Sequence, residues 1–192
     1  MSDINKKEFC EILERSPVIA AVFDTADLPL AIESPCEIIF LLCGNICELS
    51  GIIAGARKKG KKLFVHLDLL GGIGKDQFSV QYMKNIFNPD GVITTKGNMA
   101  KHAHDAGLFV IQRFFLLDSK SYESILKTVK SADVDADAIE ILPGIIPSAI
   151  GKICRLSKIP VITGGMIREK SEALDSLTAG AIGVSTSCQE LW

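Results

Sequence analysis

Residues 161–186 read VITGGMIREKSEALDSLTAGAIGVST. The stretch opens on a short apolar run, VITGG, and closes on a second one, AIGVST. Each is of strand length and almost continuously apolar, as a strand covered on both faces must be. Between them lies SEALDSLTAG, an amphipathic segment that ends on Gly180, a residue suited to a helix C-cap. Strand, helix and strand in this order make a βαβ unit, whose two strands run parallel.

Working outward, the same alternation fills the chain. Six earlier runs have the strand character: VIAAVF (18–23), EIIFLLC (37–43), KLFVHLD (62–68), GVITT (91–95), LFVIQR (108–113) and DAIEIL (137–142). Helical segments such as LSGIIAGARKKG, DQFSVQYMKNIF and SYESILKTVK separate them. Eight strands with seven right-handed crossovers close naturally into a (β/α)8 barrel. With 192 residues the barrel must be compact, since about 250 is typical. A doubly wound open sheet is the alternative, but FDTADLP stands where its glycine-rich turn should follow strand one. No linker or low-complexity tract interrupts the pattern, so residues 1–192 are expected to form one barrel domain.

Composition is that of a globular protein, with 47% hydrophobic and 23% charged residues. The opening MSDINKKEFC is polar and lacks the apolar core of a secretory signal. No apolar run approaches the roughly 18 residues of a membrane helix. A cytoplasmic protein without a membrane partner is expected. The net charge of −2 argues against a protein that coats nucleic acid broadly, though it permits a local basic patch. Cys36, Cys43 and Cys47 surround one predicted strand, but no CxxC pair occurs, and reduced thiols are expected rather than a metal site.

A barrel carries its function where the strands end. Polar residues collect there: Asp24; His66 and Asp68; Thr94, Thr95 and Lys96; Gln112 and Arg113; Glu140, followed by Gly144. His66 and Asp68 stand two apart, so on a strand they share a face and can pair. Glu140 lies among apolar neighbours, where a charge needs a partner or a wet cavity; an internal ion pair with Arg113 would satisfy both. After strands seven and eight come Gly164 and Gly165, then Ser185, Thr186 and Ser187. Glycines let a backbone approach an anion, and hydroxyls add donors. The tail SCQELW is long enough for one short helix whose N-terminus would favour a phosphate. The pattern therefore predicts a phosphate pocket. The run RKKGKK holds Arg57, Lys58, Lys59, Lys61 and Lys62 at the opposite, N-terminal face, where a solvated loop is the ordinary reading. Phe114 and Phe115 are expected to pack in the core.

The blocks VFDTADLPLAI, EIIFLLCGNI, KLFVHLDLLGGIGKD, DGVITTKGN, VIQRFFLLDS, IEILPGIIPS, VITGGMI and GVSTSCQELW resemble the glycerol-3-phosphate-responsive antiterminators over nearly the whole chain. The family pattern often has Ser where Gly97 stands. The resemblance implies a cytoplasmic regulator that binds glycerol 3-phosphate and acts on the leader mRNA of glycerol operons to prevent termination. It places the ligand among His66, Asp68, Lys96, Gln112, Arg113, Glu140 and Gly144, with the phosphate at Gly164, Gly165 and Ser185–Ser187; Asp24, at the end of strand one, is a further contact expected from the strand-end pattern. No resident cofactor or metal and no catalytic residue are expected. RNA contacts are expected from Lys75 and Lys120, in loops after strands three and five, or from the RKKGKK face. The alternative is a barrel enzyme acting on a small phosphorylated metabolite, such as an isomerase, aldolase or phosphodiesterase.

Overall fold

A computed structural model describes residues 4–131 and 134–192; the first three residues of MSDINKKEFC lie outside the described residues. Eight parallel strands close into a barrel in sequence order. They are β1 (Val18–Val22), β2 (Ile38–Leu41), β3 (Lys62–His66), β4 (Gly91–Thr94), β5 (Val110–Phe115), β6 (Ala138–Leu142), β7 (Val161–Gly164) and β8 (Gly183–Thr186). Every apolar run read from the sequence became one of these strands. Closure comes from β8 pairing with β1, with Val18 beside Val184 and Ala20 beside Thr186.

Eight α-helices accompany the strands: α1 (Lys6–Arg15) before β1, then α2 (Leu28–Glu33), α3 (Ile46–Lys58), α4 (Gln77–Tyr82), α5 (Gly97–Asp105), α6 (Ser119–Ser131), α7 (Pro147–Leu156) and α8 (Lys170–Thr178). The α4 helix runs on through a wider turn, Met83–Phe87, and stops at Asn88, which adopts φ 43°. Asparagine tolerates that left-handed conformation better than most residues. No described helix is long and apolar enough to cross a membrane.

Alternation along each strand sorts two cores. Ile38 and Phe40 on β2, Phe64 on β3 and Ile93 on β4 belong to the barrel interior. Ile39, Leu41, Leu63, Val65 and Val92 belong to the layer beneath the helices. Glycine makes room where the interior is most crowded. A Cβ on Gly91 would sit 2.3 Å from the Phe64 ring, and one on Gly183 would sit 2.9 Å from Leu13.

The polar opening segment hides a helix. Asn5 caps α1 by accepting the Glu8 N–H at 3.0 Å. Phe9, Ile12 and Leu13 share one buried face of an otherwise charged helix, the i, i+3, i+4 spacing of an amphipathic helix. That face plugs the N-terminal mouth of the barrel. The Phe9 ring lies 4.8 Å from Phe109 and 5.7 Å from Phe64, and Glu8 reaches Lys62 at the start of β3 at 2.8 Å. The seal confines solvent access to the other end, where the strand termini are.

Truncating the plug tests this arrangement. Phe9→Ala should lower the unfolding free energy by about 3–5 kcal/mol in urea titrations. A loss under about 1 kcal/mol would show that α1 stands outside the cooperative core.

Candidate functional site

The C-terminal mouth is organised by one buried ion pair. Arg113 and Glu140 are register neighbours on β5 and β6, and both point inward. Arg113 donates through Nε to Glu140 Oε2 at 2.5 Å, with the two side chains 5% and 0% exposed. The other carboxylate oxygen, Oε1, accepts the Ser185 hydroxyl at 2.5 Å from across the barrel. A carboxylate so deeply buried requires such partners, because desolvating it alone is prohibitive. Gly164 completes the arrangement by having no side chain: a Cβ there would lie 2.1 Å from Ser185 Oγ and 2.8 Å from Glu140 Oε1. The glycine read as part of a phosphate loop thus makes room for the buried carboxylate. The terminal nitrogens of Arg113 make no hydrogen bond within the described protein.

Arg113 faces a cavity of about 180 Å³, lined by Gly165, Arg168, Ser185, Thr186 and Ser187 and by an apolar wall that includes Ala21, Leu42 and Leu142. Five residues expected at the ligand therefore meet in one place: Arg113, Gly165, Ser185, Thr186 and Ser187. Gly165 adopts φ 73° and Met166 follows at φ 65°, two successive left-handed residues at the rim.

Several expectations need correction. The short helix of the tail is a single 3-10 turn, Gln189–Leu191. Its leading Cys188 N–H donates to Thr186 Oγ1 at 3.0 Å, and the Trp192 indole closes onto Thr186 O at 2.8 Å. The Thr186 hydroxyl donates to Ile167 O at 2.7 Å and the Ser185 hydroxyl to Glu140, so both serve the fold, while Ser187 stays exposed. Gln112 alternates with Arg113 and so stands on the other face of β5, with its amide nitrogen 3.7 Å from where a Gly97 Cβ would be. Asp24 caps the turn after β1 by accepting the Ala26 N–H at 3.0 Å. Gly144 packs the β6 loop against the β7 loop, where a Cβ would come within 2.6 Å of Ile167. Phe115 is exposed rather than packed in the core.

A second polar group forms at the ends of β3 and β4. The strand stops at His66, and Asp68 lies in the turn beyond it. Their closest approach, Nδ1 to Oδ2, is 4.0 Å, too long for the expected hydrogen bond. Asp68 Oδ2 instead accepts from the Thr94 hydroxyl at 2.9 Å, the Thr95 N–H at 2.8 Å and the Thr95 hydroxyl at 3.1 Å. Burial acts most strongly on this carboxyl and pushes it up, but the three donors together outweigh it and hold it below the usual carboxylate range. Lys96 Nζ stands 4.0 Å from the remaining oxygen, Oδ1. Burial pushes the His66 imidazole down, the nearby Arg113 charge adds to this, and Asp68 opposes only in part, leaving a pKa of about 4. His66 is therefore neutral at pH 7. Its Nδ1 and Asp68 Oδ1 are buried without a hydrogen-bond partner in the described protein.

Sequence reading missed Arg168. Its signal was faint: a cation four residues past Gly164, in a loop whose glycines had drawn the attention. The basic face is occupied at the other end of the barrel. Lys59 pairs with Glu33 at 2.7 Å and Lys62 with Glu8 at 2.8 Å. Lys61 donates to the Ser34 and Cys36 carbonyls at 2.5 and 2.9 Å, and Arg57 donates to the Asn88 carbonyl. Lys58 is exposed, as are Lys75 in the loop after β3 and Lys120, which stands in the first turn of α6 rather than in the expected loop. Cys36 is buried, Cys43 half-buried and Cys47 exposed, all as free thiols. Among the described residues no cluster of three or more His, Cys, Asp or Glu is placed to hold a metal ion.

The chain was compared with known proteins. The model of the glycerol-3-phosphate responsive antiterminator family matches residues 18–192. The uncharacterised protein YgcP of Escherichia coli K12 is 40% identical over 181 residues, 94% of each chain. The crystal structure of a glycerol uptake operon antiterminator regulatory protein from Listeria monocytogenes superimposes with a TM-score of 0.84 at 32% identity, over 91% of this chain and 94% of that one. A related protein from Thermotoga maritima gives 0.79 at 29% identity, over 92% and 98%.

Two measurements test the site as built. Gly164→Ala forces a methyl into the Glu140–Ser185 contact and should lower stability by about 3 kcal/mol or more, the scale of breaking a buried ion pair; a neutral outcome would mean the contact is dispensable. His66 is held neutral in the folded state, so the unfolded chain binds its proton first as the pH falls. Its contribution is fully present above about pH 6.5, the ordinary imidazole value, and is lost as the pH falls to about 4. Denaturant titrations over that window should show stability falling with pH in the native chain and a flatter profile in His66→Gln.

Proposed function

This chain belongs to the glycerol-3-phosphate responsive antiterminator family, and on that premise we propose that it binds glycerol 3-phosphate at the C-terminal mouth of its barrel and acts on glycerol operon leader mRNA. The phosphate lies in the cavity beside Arg113, Gly165 and Ser187, and the glycerol hydroxyls extend toward the ends of β3 and β4. The protein works as a regulator, without a resident cofactor or metal and without turning the ligand over.

The observation that carries this reading is the guanidinium of Arg113, held by Glu140 with its terminal nitrogens uncommitted beside the cavity. An arginine fixed in this way recognises an oxyanion without first having to be ordered. The carboxylates that an enzyme would use as acid or base are otherwise engaged. Glu140 is bonded to Arg113 and Ser185, and Asp68 to Thr94 and Thr95. A pocket whose polar groups are fixed in place suits ligand sensing.

The RNA contact follows from where free cations remain. Lys75, in the loop after β3, and Lys120, in the first turn of α6, are exposed on the side of the ligand mouth, whereas Arg57, Lys59, Lys61 and Lys62 are engaged within the chain at the far end. A ligand alters RNA affinity only by binding the RNA-competent and RNA-incompetent states unequally. Loops that border the pocket are positioned to do this.

Leader RNA binding should therefore tighten by about 5–150-fold with glycerol 3-phosphate, and the RNA should tighten ligand binding by the same factor. Glycerol, lacking the phosphate, should have little effect on either RNA affinity or the melting midpoint. Replacing Lys75 and Lys120 by Ala should weaken RNA binding and reduce its salt dependence. Turnover of glycerol 3-phosphate, or RNA binding that ignores it, would count against the regulator.

A further inference from the structure

Two arginines line the cavity, and they differ in nearly every physical respect. Arg113 is buried on a strand, and Glu140 balances its charge. Arg168 stands in the loop between β7 and α8 with an exposed side chain. Among the described residues its guanidinium has no hydrogen-bond or ion-pair partner. The nearby carboxylate, Glu172, is turned to the backbone, accepting the Arg168 and Glu169 N–H groups at 2.7 and 3.0 Å.

The backbone under Arg168 is fixed by its surroundings. Gly165 O accepts the Gly144 N–H at 3.1 Å, Ile167 O accepts the Thr186 hydroxyl at 2.7 Å, and Arg168 O accepts the Cys188 thiol at 3.4 Å. Met166, in the middle, is held at φ 65°, a conformation a residue with a Cβ adopts only when its surroundings impose it. What can respond to a ligand here is the side chain of Arg168.

We infer that Arg168 is the ligand-recruited cation of the pocket: its guanidinium folds onto the bound phosphate. The inference rests on the ligand reading above and adds the residue that supplies the phosphate with a counter-charge. Charge supplies the reason. The Arg113–Glu140 pair is neutral as a unit, and the Ser185 and Thr186 hydroxyls are engaged in the fold. A phosphate bearing close to two negative charges therefore finds one cation in the cavity lining that is outside any close ion pair, Arg168. The planar fork of arginine suits bidentate binding of phosphate.

The Nε–H resonances of the five arginines, Arg15, Arg57, Arg113, Arg155 and Arg168, give a direct test by nitrogen-15 NMR on the full chain. The Arg113 signal should be protected from solvent exchange without ligand, because Glu140 already holds it. The Arg168 signal should become protected only when glycerol 3-phosphate is added. Arg168→Gln should weaken ligand binding about ten- to a hundredfold while leaving the ligand-free melting midpoint unchanged. Arg168→Lys, which keeps the charge and loses the fork, should fall between. An Arg168 signal that stays in fast exchange at saturating ligand, or Arg168→Gln binding as tightly as the native chain, overturns the inference while the ligand reading stands. A native chain that does not bind glycerol 3-phosphate overturns both.

Discussion

The carboxylate of Glu140 is the constraint on which the mouth of this barrel depends. Fully buried inside a closed sheet, it must be met by donors from other strands. Arg113 meets one oxygen from β5, Ser185 meets the other from β8, and β7 contributes a glycine so that they can meet. Four consecutive strands are thus tied to one charge. Such a pair is weak evidence for stability, since an apolar replacement of similar volume often does as well. Its consequence here is geometric: it fixes the direction of a guanidinium that would otherwise be among the more mobile groups in the protein.

The two ends of the barrel divide the work. At the N-terminal end, α1 places Phe9 and Leu13 beneath the strands, and the basic residues at the start of β3 are neutralised by Glu8, Glu33 and backbone carbonyls. That end is packed and electrostatically balanced. At the other end polar atoms remain without hydrogen-bond partners among the described residues, among them His66 Nδ1, Asp68 Oδ1 and the guanidinium of Arg168. Apolar packing in the interior, beneath the helices and around the plug supports the fold, which leaves the mouth able to keep unsatisfied groups for a ligand.

Much of the fold was legible because its cause is local. A strand buried on both faces must be apolar along its length, and each of the eight strands declared itself that way. The plug helix was less legible, because three apolar residues among charged ones look like a solvated tail until a barrel mouth is there to receive them. The site was legible in part. Arg113 and Glu140 could be paired from their places on adjoining strands. Ser185 and Thr186 looked like ligand donors, as hydroxyls at a strand end do when their partners are distant in sequence; one partner lies 45 residues away and the other 19. Gln112 was grouped with Arg113 by proximity in sequence, which the alternation of a strand contradicts.

By itself the sequence determined the number and order of the strands, the closure they imply and the end where polar residues collect, since these follow from hydrophobic pattern and chain connectivity. Tertiary structure alone decided which polar groups are consumed by the fold and which remain. Gly164 serves Glu140, Thr186 holds the β7 loop, and Asp68 binds two threonines, while Arg168 stays unpaired. The physical reason is that a donor's availability is a property of what lies within about 3 Å of it, and in a closed barrel those neighbours come from strands far apart in the chain.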